Sequence, residues 1–275
     1  MEDDHVLRPL GPIAQTQHDL LFEAAGIMLI VIVPVWLMAA FFTYRYRQSN
    51  ESATYKPDWG FSLPIELLVW AVPAAIIVVL GTLVWVETHK LDPYRPLTGD
   101  APPLEVEVVA QDWKWLFIYP EQNIATVNEL VFPVDRPLSL KITSDTVMNS
   151  FFIPALGSQI YAMAGMQTQL NLLADAPGRF MGRNMQYSGD GFSEQHFDAI
   201  ATSEADFERW VAQVRETASA LDQATYEALA EPSIAHPVTY YSKVEPGLFD
   251  WIVAGYMGVA MPAGHHEAPQ DQPGD

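Results

Sequence analysis

The chemistry open to this chain is limited first by a residue type that it lacks. Its 275 residues include no cysteine, which excludes disulfides, thiolate nucleophiles, iron–sulfur clusters and thiolate metal sites. The side chains that remain as candidate metal ligands are His196, the methionines Met148, Met163 and Met166, and the C-terminal group His265, His266 and Glu267. Thioethers can bind cuprous ion, but methionines in an aromatic-rich β-domain more often fill the core. We therefore expect a metal-free domain with core methionines, an ordinary strand or surface histidine, and incidental C-terminal histidines.

A further candidate is a carboxylate at the end of an apolar stretch. Glu66 lies two residues after Pro64 and directly before the apolar run that starts at Leu67. An acid in the first turn of a helix is stabilised by the helix dipole, whereas an ionisable group at the edge of a membrane span is also a functional candidate. The residues alone leave both interpretations open. At the opposite end of the stretch, Glu87 and His89 are expected only to anchor the helix at the interface.

Two apolar stretches dominate the first third of the chain. No charged residue occurs from Ala24 to Phe42 or from Leu67 to Val86, and about 20 helical residues span a bilayer core of ~30 Å. The predicted segments are an N-terminal tail at 1–19, a transmembrane hairpin at 20–90, spans at about 22–44 and 64–88, and a connecting loop at 45–63.

The charges beside the two spans predict how the hairpin is oriented. The loop carries Arg45, Arg47 and Lys56, and positive charge near span ends stays cytoplasmic. Both termini and the large domain are therefore expected in the periplasm of a bacterial inner membrane. The chain opens with Met1-Glu2-Asp3-Asp4 instead of a basic leader, so we expect the first span to be a permanent helix and not a signal peptide.

The chain after the second span has the pattern of a β-domain. Residues 104–109 alternate between two faces, as in a half-buried strand. Further β-type runs occupy 113–119, 130–134, 138–143, 169–173 and 196–201. Turn signals such as Asp135-Arg136-Pro137 separate them. Many short strands at this spacing predict a β-sandwich or barrel over residues 91–202.

A helical and aromatic extension is predicted for residues 203–260. Ser203 is a candidate N-cap with Asp206 three residues later. A second helix is expected from Gln223 to Ala230, before Pro232, and an aromatic segment follows. Residues 261–275 are rich in proline, glycine and acid and are expected to be disordered.

Several short sequence segments resemble those of subunit II of the haem-copper oxidases. The segment Gln111-Asp112-Trp113-Lys114-Trp115 is similar to the aromatic strand after the family's membrane anchor. Residues 147–157 and 187–200 resemble its two copper loops, and residues 158–166 are typical of the cytochrome bo-type ubiquinol oxidases. The resemblance covers about residues 22–257. It implies a two-helix transmembrane hairpin followed by an all-β cupredoxin-like sandwich with a C-terminal helical extension.

The resemblance also implies that a binuclear copper centre has been lost. In the relatives that oxidise cytochrome c, two histidines, two cysteines, a methionine and a glutamate carbonyl hold this centre. The matching positions here are Asn149, Tyr187, Gly189, Gly191, Gln195 and Asp198. None of these side chains is a copper ligand of the family, and no cysteine elsewhere can replace the thiolates. We therefore expect these to be vestigial positions and not ligands.

The implied function is that of a structural subunit of a terminal quinol oxidase. Such a complex oxidises ubiquinol, reduces oxygen to water and pumps protons, with its haems and copper in subunit I. The expected partners are subunit I, subunits III and IV and membrane lipid, with no cytochrome c. We expect no cofactor and no catalytic residue on this chain. By resemblance, Glu66 matches a glutamate near the mouth of a proton channel into subunit I.

Two other functions remain as alternatives. A formal charge of −20 repels nucleic acid but suits a basic protein partner, so a cytochrome c oxidase subunit is one alternative, against which the altered copper positions argue. The other is a free-standing membrane-anchored cupredoxin-like binding or assembly protein. Copurification of haem with the chain would distinguish this protein from an oxidase subunit.

Overall fold

Two long apolar helices precede a β-domain in this computed structural model, which describes residues 8–54, 58–99 and 101–257. Helix α1 runs over Pro12–Arg45 and helix α2 over Leu63–Lys90. Both are long and apolar enough to cross a membrane, and their most apolar windows are not buried inside the protein. Each accommodates an internal proline, Pro34 or Pro73, as membrane helices tolerate. The predicted spans lie within these helices.

The first helix begins earlier than the apolar run that predicted it. Its first residue is Pro12, which lies inside the segment predicted as an N-terminal tail. The polar residues that follow Pro12 are therefore helical as well. The preceding residues join the β-domain: Leu10 N donates to Ala155 O at 2.9 Å, and Asp175 N donates to Leu10 O at 3.0 Å. A Cβ on Gly11 would lie 2.2 Å from Leu173 O. Only glycine therefore permits this contact between the helix start and the domain.

The β-domain is a sandwich of two mixed sheets. The strands of the two sheets are β1 (Leu104–Gln111), β2 (Lys114–Tyr119), β3 (Ile124–Val127), β4 (Glu129–Pro133), β5 (Leu138–Ser144), β6 (Asn149–Phe152), β7 (Gln159–Ala162), β8 (Thr168–Leu172), β9 (Gly178–Asn184), β10 (His196–Thr202) and β12 (Thr239–Tyr241). Two short strands, β11 (Ala220–Leu221) and β13 (Lys243–Val244), form a separate pair. One sheet has the order β12-β3-β2-β1-β5-β8, and the other has the order β4-β10-β9-β6-β7. The pairs β1–β5 and β4–β10 are parallel.

Aromatic side chains fill the space between the two sheets. Phe151 stacks on Phe197 with ring centroids 5.1 Å apart, and Trp115 meets Phe151 edge-on at 5.3 Å. Phe117 completes the group, with its centroid 5.0 Å from that of Phe197. These rings come from both sheets, and all are almost completely buried. Aromatic burial of this kind fixes the spacing and register of the sheets.

Most of the C-terminal extension covers the outer face of the larger sheet, while the buried residues of its first helix join the core cluster between the sheets. It contains α3 (Glu204–Arg215), α4 (Gln223–Ala230) and α5 (Leu248–Met257). Its buried residues, including Leu221, Phe249 and Ile252, pack with Val109 and Leu116 of the sheet. Because the extension covers part of this sheet, strand β2 is buried on both faces, whereas β1 alternates in its first half and β10 alternates throughout.

Two predictions for this extension are confirmed. The Ser203 hydroxyl accepts from Asp206 N, so Ser203 caps α3, and α4 covers the predicted residues 223–230. The extension also supplies a strand that was not predicted: β12 pairs with β3, with Tyr240 opposite Thr126. Overall, the predicted fold class is confirmed as two apolar helices, a cupredoxin-like sandwich and C-terminal helices. The predicted tail at 261–275 lies outside the described residues.

Candidate functional site

A network of side-chain amides connects the two positions that the sequence resemblance predicts to match the copper histidines. Asn149 begins β6, and Gln195 follows a 3₁₀ turn at Phe192–Glu194. Asn184, at the end of β9, donates from Nδ2 to Asn149 Oδ1 at 2.6 Å and to Gln195 Oε1 at 2.8 Å. All three residues are at least 95% buried. Asn184 therefore holds the two matching positions together inside the domain.

Neighbouring groups satisfy the rest of this network. Gln195 Oε1 also accepts from Ser188 Oγ at 2.9 Å, and its Nε2 donates to Gln111 O at 3.2 Å. Asn149 Nδ2 donates to Val147 O at 2.8 Å. Buried amides without partners are costly, and these hydrogen bonds use both the donors and the acceptors. The network is neutral and rigid, and it serves as a structural bridge between β6, β9 and the 3₁₀ turn.

An indole covers the loop that is predicted from the sequence to match the copper thiolates. A Cβ on Gly191 would lie 2.4 Å from Trp113 Cδ2, and Gly189 adopts a φ of +114° with its Cβ position 3.1 Å from Trp113 Cζ2. Trp113 Nε1 donates to Ser188 O at 3.0 Å. Tyr187 points outward and is 71% exposed. The space beside the two glycines is therefore occupied by Trp113 and not open to a bound group.

The remaining matching position faces away from the network. Asp198 lies on β10 and pairs with Arg179, with Arg179 Nη2 2.7 Å from Asp198 Oδ2. His196 is exposed, while Phe197 between them points into the core. Residues two apart on a strand share a face, so His196 and Asp198 lie on the outer surface. The structure thus brings Asn149 and Gln195 together, and it separates Asp198 from them.

The donor atoms at this site do not fit a binuclear copper centre. Asn149 and Gln195 present amides where the centre would need imidazoles, and no thiolate exists in this sequence to bridge two coppers. A ligand at position 191 would overlap the indole of Trp113. Over the part of the chain that the structure describes, no group of three or more His, Asp or Glu side chains is arranged to hold a metal ion. The C-terminal group His265, His266 and Glu267 lies outside that part.

The methionine prediction is wrong. Met148 and Met166 are 41% and 52% exposed, and Met163 is half-buried, so they do not fill the core. They lie in or beside loops that end short strands, where hydrophobicity alone does not decide burial. Sequence reasoning also missed Asn184 and Ser188, whose roles depend on the pairing of β9 with β6 and on the fold of the loop before β10.

Glu66 lies where the sequence predicted, in the first turn of α2. Ser62 is the N-cap residue, and Glu66 N donates to Ser62 O at 3.0 Å. Its side chain is exposed, and the structure gives it no hydrogen bond or ion pair within the described residues.

The sandwich belongs to the class of oxidase subunit II periplasmic domains. The family "Cytochrome C oxidase subunit II, periplasmic domain" matches residues 116–197, and the family "COX Aromatic Rich Motif" matches residues 215–259. The second match covers most of the C-terminal extension, from the end of α3 to α5.

Comparison with whole chains narrows this class. The cytochrome bo(3) ubiquinol oxidase subunit 2 of Pseudomonas putida is 52% identical over 262 residues, which cover 95% of this chain and 83% of that protein. The ubiquinol oxidase subunit 2 of Acetobacter aceti is 52% identical over 253 residues, covering 91% and 82%. This chain belongs to the quinol oxidase subunit 2 family. Among solved structures, it is similar to the periplasmic domain of cytochrome oxidase subunit II of Bradyrhizobium japonicum, with 21% identity, a TM-score of 0.41, and coverage of 43% of this chain and 96% of that one.

Proposed function

We propose that this chain is a non-redox subunit of a terminal quinol oxidase and braces the subunit that carries the haems and copper. The observation that supports this most directly is the buried amide network of Asn149, Asn184 and Gln195. It replaces ligand chemistry with neutral hydrogen bonds and gives the sandwich a fixed shape. No electron-transfer step is assigned to the domain, and no catalytic residue is assigned to this chain.

In this proposal, electrons do not pass through the periplasmic domain. Ubiquinol is oxidised within the membrane, and its electrons reach the low-spin haem of subunit I directly. Oxygen is reduced to water at the haem-copper pair of the same subunit, and protons are pumped outward. Cytochrome c is not a donor. Subunits III and IV complete the set of partners, and the family membership of this chain supports this arrangement.

The proposed topology is a hairpin with both ends in the periplasm. The segment before α1 and the segment after α2 both join the sandwich, since Leu10 pairs with Ala155 and Asn171 N donates to Pro93 O at 3.1 Å. The opposite ends of the helices meet the loop with Arg45 and Arg47. Positive charge at that end supports a cytoplasmic loop and a multi-pass chain in the inner membrane.

Glu66 is proposed to lie at the entrance of a proton path into subunit I. Its exposed side chain at the start of α2 forms no hydrogen bond or ion pair within the described chain, and an ionisable group at the edge of a span is a functional candidate. Glu66→Gln should slow proton uptake and lower the protons pumped per oxygen, while Glu51→Gln in the same loop should not. Unchanged turnover and pumping in Glu66→Gln would leave only the helix-dipole role.

Purification from native membranes through a tag on this chain tests the main proposal. Haem should copurify in a fixed ratio, and oxygen uptake should be supported by ubiquinol-1 and not by reduced cytochrome c. Cytochrome c oxidation with extra copper would contradict the interpretation of the copper positions. A chain that purifies without haem would instead be a solitary anchored binding or assembly protein.

A further inference from the structure

A half-buried carboxylate lies beside the aromatic C-terminal segment. Asp145 follows β5, and Tyr226 Oη donates to its Oδ2 at 2.5 Å. Tyr256 Oη donates to the main-chain oxygen of Asp145 at 2.6 Å. Within the described ranges, no lysine, arginine or histidine forms an ion pair with this carboxylate. Burial raises the pKa of Asp145, because its neighbours replace only part of the lost hydration.

A cavity of about 270 Å³ opens next to Asp145. Trp251 and Tyr226 form its wall, with ring centroids 6.0 Å apart and ring planes at 89°. Tyr256 forms the rim and is 50% exposed. Glu227 adds a second carboxylate, which is exposed to solvent. Three aromatic rings and two acids around one opening are the groups that attract an organic cation.

A buried amide lies behind the wall of the cavity. Gln111 is 1% exposed and does not line the opening. Its side chain lies next to the Asp145 carboxylate and the Tyr226 hydroxyl, and it lowers the pKa of each against the larger effect of burial. Gln111 therefore supports Asp145 from behind, while the carboxylate of Asp145 lines the cavity, where a cation can approach it.

We propose that this pocket receives a lysine or arginine side chain from a partner protein. Under the proposed function, on which this inference rests, the partner is another subunit of the oxidase. The cation would pair with Asp145 and Glu227 and lie against the rings of Trp251 and Tyr256. The C-terminal aromatic motif would then be a docking element as well as a cover for the sheet.

The position of the pocket favours a protein over a lipid head group. Helix α1 joins the domain beside Leu173. The preceding residue, Leu172, pairs with Leu138 at the start of β5. Asp145 lies beyond the other end of this seven-residue strand, a distance of about 23 Å at 3.3 Å per residue. The pocket is therefore a full strand length away from the place where the hairpin joins the domain.

The test measures how quickly partner proteins leave an immobilised complex. The full-length tagged chain, with its partners, is washed at rising salt, and the release rate is compared with that of Asp145→Asn, Glu227→Gln and the double variant. Asp145→Asn keeps an acceptor for Tyr226 and removes only the charge. We expect the double variant to release its partner about tenfold faster. Glu208→Gln on α3 is the matched control, since it removes an exposed charge outside the pocket, and it should match the wild type.

The outcomes separate this inference from the proposed function. Equal release rates for the double variant and the wild type would overturn the pocket as a docking site. Partners that copurify without haem would contradict the oxidase function but leave the rate comparison valid. A wild-type chain that purifies alone would overturn both. Faster release of bound lipid, with the partner retained, would show that the pocket binds a lipid amine and not a protein side chain.

Discussion

Trp113 lies so close to Gly191 that a Cβ on the glycine would fall 2.4 Å from the indole Cδ2. The indole is held there by its hydrogen bond to Ser188 O. At the position that the sequence resemblance predicts to match a bridging thiolate, this family member has an aromatic ring packed against a glycine backbone. The relationship gives a direct test of how tightly the loop is built.

Gly191→Ala should destabilise the domain by about 1–3 kcal/mol, because the added methyl must displace a ring that is hydrogen-bonded in place. Thermal unfolding of the purified protein measures the effect. Gly60→Ala is the matched control, since nothing lies within 4 Å of its Cβ position. Combining Gly191→Ala with Trp113→Ala should remove the overlap, so the double variant should lose less than the sum of the two single losses. Strict additivity would contradict the contact.

Asn184→Ala should cost about 2–4 kcal/mol of unfolding free energy, because it leaves Asn149 Oδ1 and Gln195 Oε1 without their shared donor. Chemical denaturation reports this loss. Gln159→Ala, at an exposed position on β7, should change stability by less than about 0.5 kcal/mol. A small effect at Asn184 would show that the amide network does not hold the two loops together.

Glu107 should make stability fall as pH rises. Burial, the largest cause, raises its pKa to about 7; Lys141 partly offsets this, and Asp250 and Glu105 add to it. Because the folded state binds the proton more tightly than the unfolded chain, whose pKa is near 4.5, the loss of stability develops between about pH 4.5 and 7 and persists above it. Glu107→Gln should therefore be more stable than the wild type at pH 8 by about 1–2 kcal/mol and equal to it near pH 4.5. Denaturation at several pH values measures this difference. A pH-independent difference would refute the assignment, and Glu208→Gln is the control.

Glu129 should be needed to hold the extension on the sandwich. Its Oε1 accepts from Trp210 Nε1 at 3.2 Å and from Tyr240 Oη at 2.8 Å, and the residue is 8% exposed. Glu129→Ala leaves two donors unpaired and should cost about 2–4 kcal/mol, whereas Tyr240→Phe removes one bond and should cost about 1 kcal/mol. Limited proteolysis should release the C-terminal extension sooner in Glu129→Ala. Equal protease resistance would show that apolar packing alone retains it.

Some features of this fold follow from local sequence because their causes are local. An uninterrupted apolar run fixes the two membrane-type helices, and the Ser203 side chain satisfies the first turn of α3. The six predicted β-type runs correspond to observed strands, whereas β3, β6, β7, β9 and the three short strands of the C-terminal extension were not predicted. Three of these are four-residue strands, and β9 contains glycines, so their strand identity depends on the neighbours that pair with them.

What the sequence by itself determined is the order of the elements and the chemistry that is missing, since the absence of cysteine removes a bridging thiolate whatever the fold. Tertiary structure alone decided where the remaining polar groups meet. Asn184 joins Asn149 and Gln195 across 35 and 11 residues of chain, and Asp145 meets Tyr226 across 81. Such contacts depend on strand pairing and helix packing, because sequence separation places no limit on which side chains a folded sandwich brings within hydrogen-bonding distance.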